Sequence, residues 1–117
     1  MIYLDTSVLL AQLLAEDRVP PAAFWEASLI SSRLIEYEVW TRVNARKLAA
    51  THGESARALL GRLAMAELSP HVLARALDPF PVPVRTLDAL HLATMVFLRE
   101  RDPSLALATY DDRLALA

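Results

Sequence analysis

Three short apolar runs punctuate the chain, Ile2–Leu4, Ser28–Ser32 and Leu105–Thr109, and helical patterning fills the intervals between them. Strands that alternate with helices are joined by crossovers, and crossovers lay neighbouring strands parallel. The fold class is therefore α/β, a mostly parallel central sheet flanked by helices. The first run ends abruptly. Ile2, Tyr3 and Leu4 lead straight into Asp5, Thr6 and Ser7 before apolar residues resume at Val8. An unpaired carboxylate among apolar residues is costly, so Asp5 calls for a reason beyond the strand it follows.

The helical intervals carry their own punctuation. Thr6 or Ser7 caps a helix from Val8 to about Ala15, and the two prolines of EDRVPP end it in a turn. A short helix is expected around Phe24–Glu26. RLIEYEVWTRVNARKLAA places Leu34, Ile35, Val39, Trp40, Val43 and Leu48 at helical spacing, with Gly53 as a C-terminal cap. ESARALLGRLAMAEL reads as a further amphipathic helix. Ser69-Pro70 starts another, serine as cap and proline at the first helical position. DPFPVPV is extended. Thr86 caps the helix TLDALHLATMVFLRER, Asp102-Pro103 turns the chain, and YDDRLALA opens a last helix.

Composition bounds the function. At 117 residues the chain suits one compact domain, residues 1–117. A hydrophobic content of 55% is high for so short a chain, which predicts apolar surface covered by a second copy or a partner. No run of ~18 apolar residues spans a membrane, and no secretory signal is visible, so a cytoplasmic location is expected. The absence of cysteine excludes disulfides, thiolate catalysis and Cys-based zinc sites. A net charge of -2 gives no bulk electrostatic support for nucleic-acid binding, although a local basic rim can serve.

The acids gather where α/β folds do their chemistry, outside the carboxyl ends of the strands. Asp5 follows the first run, Glu36 and Glu38 follow the second, and Asp111 and Asp112 follow the third. Asp88 lies in the first turn of its helix. Each has an ordinary explanation: capping for Asp5, the helix dipole for Asp88 and Asp112, an i,i+4 pair with Arg42 for Glu38. Together they are harder to dismiss, because converging carboxylates repel unless a cation sits among them. Oxygen donors without cysteine or clustered histidine select hard ions such as Mg²⁺ or Mn²⁺.

MIYLDTSVLL, the acid in LIEYEVW, TLDALHLATM and LATYDDRLAL occur in the order and at roughly the spacing of a PIN domain. Over essentially its whole length the chain resembles the PIN-domain ribonucleases, in particular the VapC-type toxins of bacterial toxin–antitoxin pairs. The resemblance implies a PIN-like three-layer fold and divalent-metal-dependent hydrolysis of RNA phosphodiester bonds, leaving a 5′-phosphate. It also implies Mg²⁺ (or Mn²⁺), a cognate antitoxin and a homodimer. By the same resemblance Asp5, Glu38, Asp88 and Asp111 are the catalytic and metal-binding acids, with Glu36 the alternative to Glu38. Thr6, Ser7 and Thr109 are supporting hydroxyls, Thr109 serving Asp111. The chain stops shortly after Asp111, where the family usually continues through a helix and a short strand.

Arg42, Arg85 and Arg113 are candidates for the RNA backbone, or ordinary surface charges. His91, on the same helical face as Asp88, is a proton shuttle, a ligand or a hydrogen-bonded core histidine. Trp25 and Trp40 are candidates to stack on bases, with a core or dimer interface the alternative for Trp40. Two alternatives keep the fold: an RNA-processing nuclease without an antitoxin, and a catalytically silent interaction module. A receiver-type signalling domain is disfavoured, because the single lysine, Lys47, lies far from any strand end.

Overall fold

The computed structural model describes residues 1–116, without the side chain of Arg113. Its strands are β1 (Ile2–Leu4), β2 (Leu29–Ser32), β3 (Leu63–Ala66) and β4 (Ala106–Ala108). Its helices are α1 (Thr6–Leu13), α2 (Leu34–Ala45), α3 (Ala49–Leu60), α4 (Pro70–Ala76), α5 (Thr86–Arg101) and α6 (Asp112–Leu116), with a 3₁₀ turn over Ala22–Glu26. The sheet is parallel throughout, in the order β3-β2-β1-β4. From β1 the chain moves outward through β2 and β3, then returns to the other side of β1 as β4. The connections that leave β1 and β4 therefore diverge, which opens a crevice at their carboxyl ends.

Alternation along the strands builds two apolar layers. Ile2, Leu4, Leu29 and Ala108 face a core formed with Val8, Leu9 and Leu13 of α1, Ile35, Val39 and Val43 of α2, and Ala56 and Leu60 of α3. Tyr3, Ile30 and Leu107 face the other way, onto Met95 and Leu98 of α5 and the buried Leu105. Helices thus cover both faces in the expected three layers. Among the described residues no helix is long and apolar enough to cross a membrane.

The structure corrects several expected boundaries. The helix expected through Ala50 breaks at Lys47, whose φ of 57° is left-handed. The Lys47 and Leu48 N–H groups donate to the Asn44 and Val43 carbonyls, closing α2 before α3 begins. Gly53 then lies inside α3 and caps nothing. The helix expected through Leu68 stops at Leu60, and Leu63–Ala66 is a fourth strand that sequence patterning missed. Ladder pairing with β2, from Leu29↔Leu63 to Ser32↔Ala66, overrides the helical preference of its alanines, worth at most ~0.7 kcal/mol per residue. Asp5, rather than Thr6 or Ser7, caps α1, which ends at Leu13. Thr86 is the first residue of α5 rather than its cap, a position held by Arg85. Ser69 and Pro70 open α4 as expected, with Ser69 accepting from the Val72 N–H.

The placement of Gly53 is testable. An added Cβ would stand 3.6 Å from the Trp40 ring and 3.6 Å from the Arg57 guanidinium, ordinary packing distances. Gly53→Ala is expected to raise stability in a urea titration by about 0.5–1 kcal/mol, the cost of glycine inside a helix. A left-handed cap at this position would instead make the substitution destabilising.

Candidate active site

Parallel pairing delivers the first acid. The Asp5 N–H donates to the Ala108 carbonyl at 3.0 Å, extending the β1–β4 ladder by one step beyond β1. This brings Asp5 beside Thr109. Three donors then fall on one carboxylate oxygen, Asp5 Oδ2: the Ser7 Oγ–H at 2.6 Å, the Thr109 Oγ1–H at 2.9 Å and the Ser7 N–H at 3.3 Å. Ser7 Oγ accepts in turn from the Tyr110 N–H at 3.0 Å, and Thr109 Oγ1 accepts from the Asp111 N–H at 2.9 Å. The hydroxyl of Thr109 is thus spent on Asp5, and it meets Asp111 through the backbone rather than the carboxylate. Asp111 Oδ1 accepts from the Leu114 N–H at 3.3 Å, at the start of α6.

Glu38 arrives from α2. It follows the buried Ile35 by one helical turn and sits at the edge of the stripe that packs against the sheet. Both of its hydrogen bonds fall on Oε1: the Thr6 Oγ1–H at 2.8 Å and His91 Nε2 at 2.5 Å. Glu36, two positions earlier, points elsewhere and stands 3.8 Å from Arg33. The i,i+4 pair between Glu38 and Arg42 does not form. His91 is 1% exposed, and its other ring nitrogen meets the Tyr3 hydroxyl at 2.7 Å. Burial raises the Tyr3 phenol well above its ordinary pKa, so it keeps its proton.

Asp88 occupies the third position of α5, where its carboxyl lies near the Arg85 backbone amide. Asp5, Glu38, Asp88 and Asp111 line one open cavity of about 770 Å³, together with Thr6, Ser7, Leu10, Arg42, Arg85, Thr86, Leu87 and the exposed Asp112. Burial raises the Asp88 carboxyl above its ordinary pKa, and the charges of Asp111 and Asp5 raise it further. The Arg85 amide and His91 oppose the shift.

The donor set suits a hard cation. Asp5 Oδ1 and Glu38 Oε2 take no hydrogen bond, yet no buried side-chain oxygen among the described residues lacks a partner. Both oxygens are therefore open to solvent, and both residues line the cavity. Among the described residues no three acids or histidines stand close enough to ligate one ion directly. That arrangement suits Mg²⁺, which keeps several waters and needs only one or two protein carboxylates.

Of the other sequence candidates, Arg42 and Arg85 reach the cavity wall, and the side chain of Arg113 lies outside the described residues. Trp25 is buried against α1, with Nε1–H donating to Gln12 Oε1 at 3.3 Å, and Trp40 packs onto the same core beneath Arg57. Sequence reading did not connect Tyr3 to the acids. Its one available signal was a phenol in an otherwise aliphatic strand, since a buried hydroxyl needs a partner.

Comparison with known proteins gives a consistent picture. The family model described as PIN domain matches residues 2–117. Ribonuclease VapC35 of Mycobacterium tuberculosis is 35% identical over 123 residues, covering 97% of this chain and 87% of the relative. Ribonuclease VapC47 of the same species is 32% identical over 120 residues, with the same coverage of both chains. No solved structure matches the chain.

The crowding of charge around Asp88 has a measurable consequence in the metal-free protein. A carboxyl whose pKa is raised by folding withdraws stability as it ionises, so the loss grows as pH climbs above the ordinary value of 3.8. Asp88→Asn is therefore expected to raise the thermal midpoint at pH 7 in chelator. The gain should shrink as pH falls to 3.8 and below, where the native carboxyl is protonated.

Proposed function

The chain belongs to the PIN-domain family, and on that premise we propose that it is a metal-dependent endoribonuclease, the toxin of a type II toxin–antitoxin pair, acting in the cytoplasm. Its substrate is RNA and its cofactor Mg²⁺ or Mn²⁺. The observation that carries this reading is the convergence of Asp5, Glu38, Asp88 and Asp111 on one open cavity, with Arg42 and Arg85 in its wall. The ribonuclease names of two relatives covering nearly the whole chain support the same activity.

Asp5, Glu38, Asp88 and Asp111 are the residues that would hold the ion, one or two of them directly and the others through its waters. When bound, a divalent ion of this kind lowers the pKa of water and offsets the negative charge that builds on phosphorus. The chain's own part is placement. Ser7 and Thr109 hold Asp5 Oδ2 and leave Oδ1 for the cavity. Thr6 holds Glu38 Oε1 and leaves Oε2. Arg42 and Arg85 bind flanking phosphates, for which the planar guanidinium is well suited. Water adds to phosphorus, the 3′ oxygen leaves with a proton, and the 5′-phosphate remains on the product.

Two surfaces support the partners proposed. A second groove, of about 360 Å³, adjoins the acids and is lined by Leu10, Leu34, Tyr37, Ala45 and Leu87 beside Glu38 and Arg42. With Tyr37 65% and Leu87 46% exposed, it suits an antitoxin segment that covers the acids. Leu73 of α4, Leu77 just beyond it and Val96 of α5 are also exposed, and they suit a homodimer contact.

The test is cleavage of RNA with Mn²⁺ or Mg²⁺, paired with calorimetric titration of Mn²⁺. Asp5→Asn and Asp88→Asn are expected to lower metal-dependent cleavage by at least ~100-fold, since even residues that only support a metal ligand are worth 10–100-fold. Both variants should keep the wild-type circular dichroism. Cleavage that survives in Asp5→Asn, or that continues in chelator, would overturn the reading.

A further inference from the structure

The proposed chemistry makes no use of a buried polar chain behind Glu38. Its direction can be read from its ends. The Ser32 backbone N–H can only donate, and it donates to the Tyr3 hydroxyl oxygen at 3.2 Å. The neighbouring Ser31 and Thr94 hydroxyls donate to the Leu4 and Leu90 carbonyls, each at 2.7 Å, so neither competes as a donor to Tyr3. The Tyr3 hydroxyl meets His91 Nδ1 at 2.7 Å, and the Glu38 end of the chain decides which of the two donates. A neutral histidine carries one ring proton, so a proton on Nε2 leaves a lone pair on Nδ1 to accept from the Tyr3 O–H. Nε2–H then faces Glu38 Oε1 at 2.5 Å, and an ionised carboxylate can only accept. Each link has one donor and one acceptor, and the order runs from the sheet backbone at the end of β2 to the acid on α2.

We propose that Tyr3 and His91 are positioning residues for Glu38: the chain of hydrogen bonds from Ser32 selects the Nε2–H tautomer, pins Oε1 and so presents Oε2 to the cavity. The proposal rests on Glu38 being a metal ligand. Tyr3 and His91 are each 1% exposed, so neither reaches substrate or ion, and their influence passes through Glu38. Phenylalanine would fill the space of Tyr3 in the apolar layer, so the hydroxyl serves hydrogen bonding, to the Ser32 N–H and to His91, rather than packing. The opposite tautomer would set a nitrogen lone pair against Oε1. Glu38 would then lose its inner anchor and keep only Thr6.

Two measurements on the full chain test this. The first is Mn²⁺ affinity by calorimetry in wild type, Tyr3→Phe, His91→Leu, His91→Gln, Glu38→Gln and the Tyr3→Phe, Glu38→Gln double variant, each shown to be folded by thermal melt. Tyr3→Phe and His91→Leu are expected to weaken binding roughly 10–100-fold, the usual effect of losing an outer-shell partner. His91→Gln, whose amide can still donate to Oε1, should recover part of that loss. Tyr3→Phe should have little effect once Glu38 is glutamine. A Tyr3→Phe affinity equal to wild type, or an equal loss in both backgrounds, overturns the relay alone. Wild type that binds no Mn²⁺, or Glu38→Gln that binds as wild type does, overturns the metal-site reading and the relay with it. The second measurement is the ¹⁵N NMR spectrum of the His91 ring without metal. Nε2–H in wild type, turning to a mixture in Tyr3→Phe, supports the relay; Nδ1–H in wild type overturns it.

Discussion

The site depends on β1 lying inside the sheet with a parallel neighbour on each side. A central strand has no free edge, so the position of its last residue is fixed from both flanks. The extra bond from the Asp5 N–H to the Ala108 carbonyl carries that rigidity one residue past the strand. Everything at the site is then placed relative to Asp5. Thr109 and Asp111 come from the neighbour on one side, and α2 comes off the neighbour on the other. An edge strand of three residues would leave the same aspartate free to move with its loop.

Rigidity alone does not explain why the acids are tolerated. Carboxylates facing one cavity repel, and the Asp88 carboxyl, raised first by burial, is raised further by the charges of Asp111 and Asp5. The fold offsets part of the cost with hydrogen bonds, but distributes them unevenly. Asp5 and Glu38 each have a single oxygen loaded with donors, while the second oxygen of each takes none. A network that existed only to stabilise buried acids would satisfy both oxygens. Loading one and sparing the other holds each carboxylate in orientation while leaving half of it available to a cation. The residual repulsion suits the same end, because bringing a cation among the acids relieves it.

How much of this was legible in the sequence varies with the range of the interaction that decides each feature. Asp5 could be found because the change from IYL to DTS is local, and a carboxylate at the end of a buried strand has few structural uses. Asp88 and Asp111 were legible as candidates through the motifs TLDALHLATM and LATYDDRLAL, not through the strand pattern. The choice between Glu36 and Glu38 was harder. Two residues apart on a helix, they face different ways, and the packing of Ile35, Val39 and Val43 decides which one faces the cavity. β3 was not legible, since Leu63–Ala66 is rich in helix formers and becomes a strand only through pairing with β2. The break at Lys47 was hidden because the left-handed residue is neither glycine nor asparagine. The link from Tyr3 to His91 spans 88 residues and that from His91 to Glu38 spans 53, beyond the reach of any local pattern.

The adjacency of Thr6 and Ser7 shows how economically the opening motif is used. Consecutive residues in a helix point about 100° apart. In the first turn of α1, that angle sends the two hydroxyls to different acids. Ser7 turns back toward Asp5 and β4, where its oxygen bonds Asp5 Oδ2 and accepts from the Tyr110 N–H. Thr6 turns toward α2 and α5, where its hydroxyl bonds Glu38 Oε1 and lies 3.3 Å from His91 Nε2. The capping geometry of Asp5 sets both directions at once, because it fixes where the helix begins. A one-residue shift in that start would rotate both hydroxyls away from their acids. The stretch Asp5-Thr6-Ser7 therefore joins the β1–β4 crevice to the α2–α5 side of the cavity, and the first acid helps to place Glu38 through the helix that it caps.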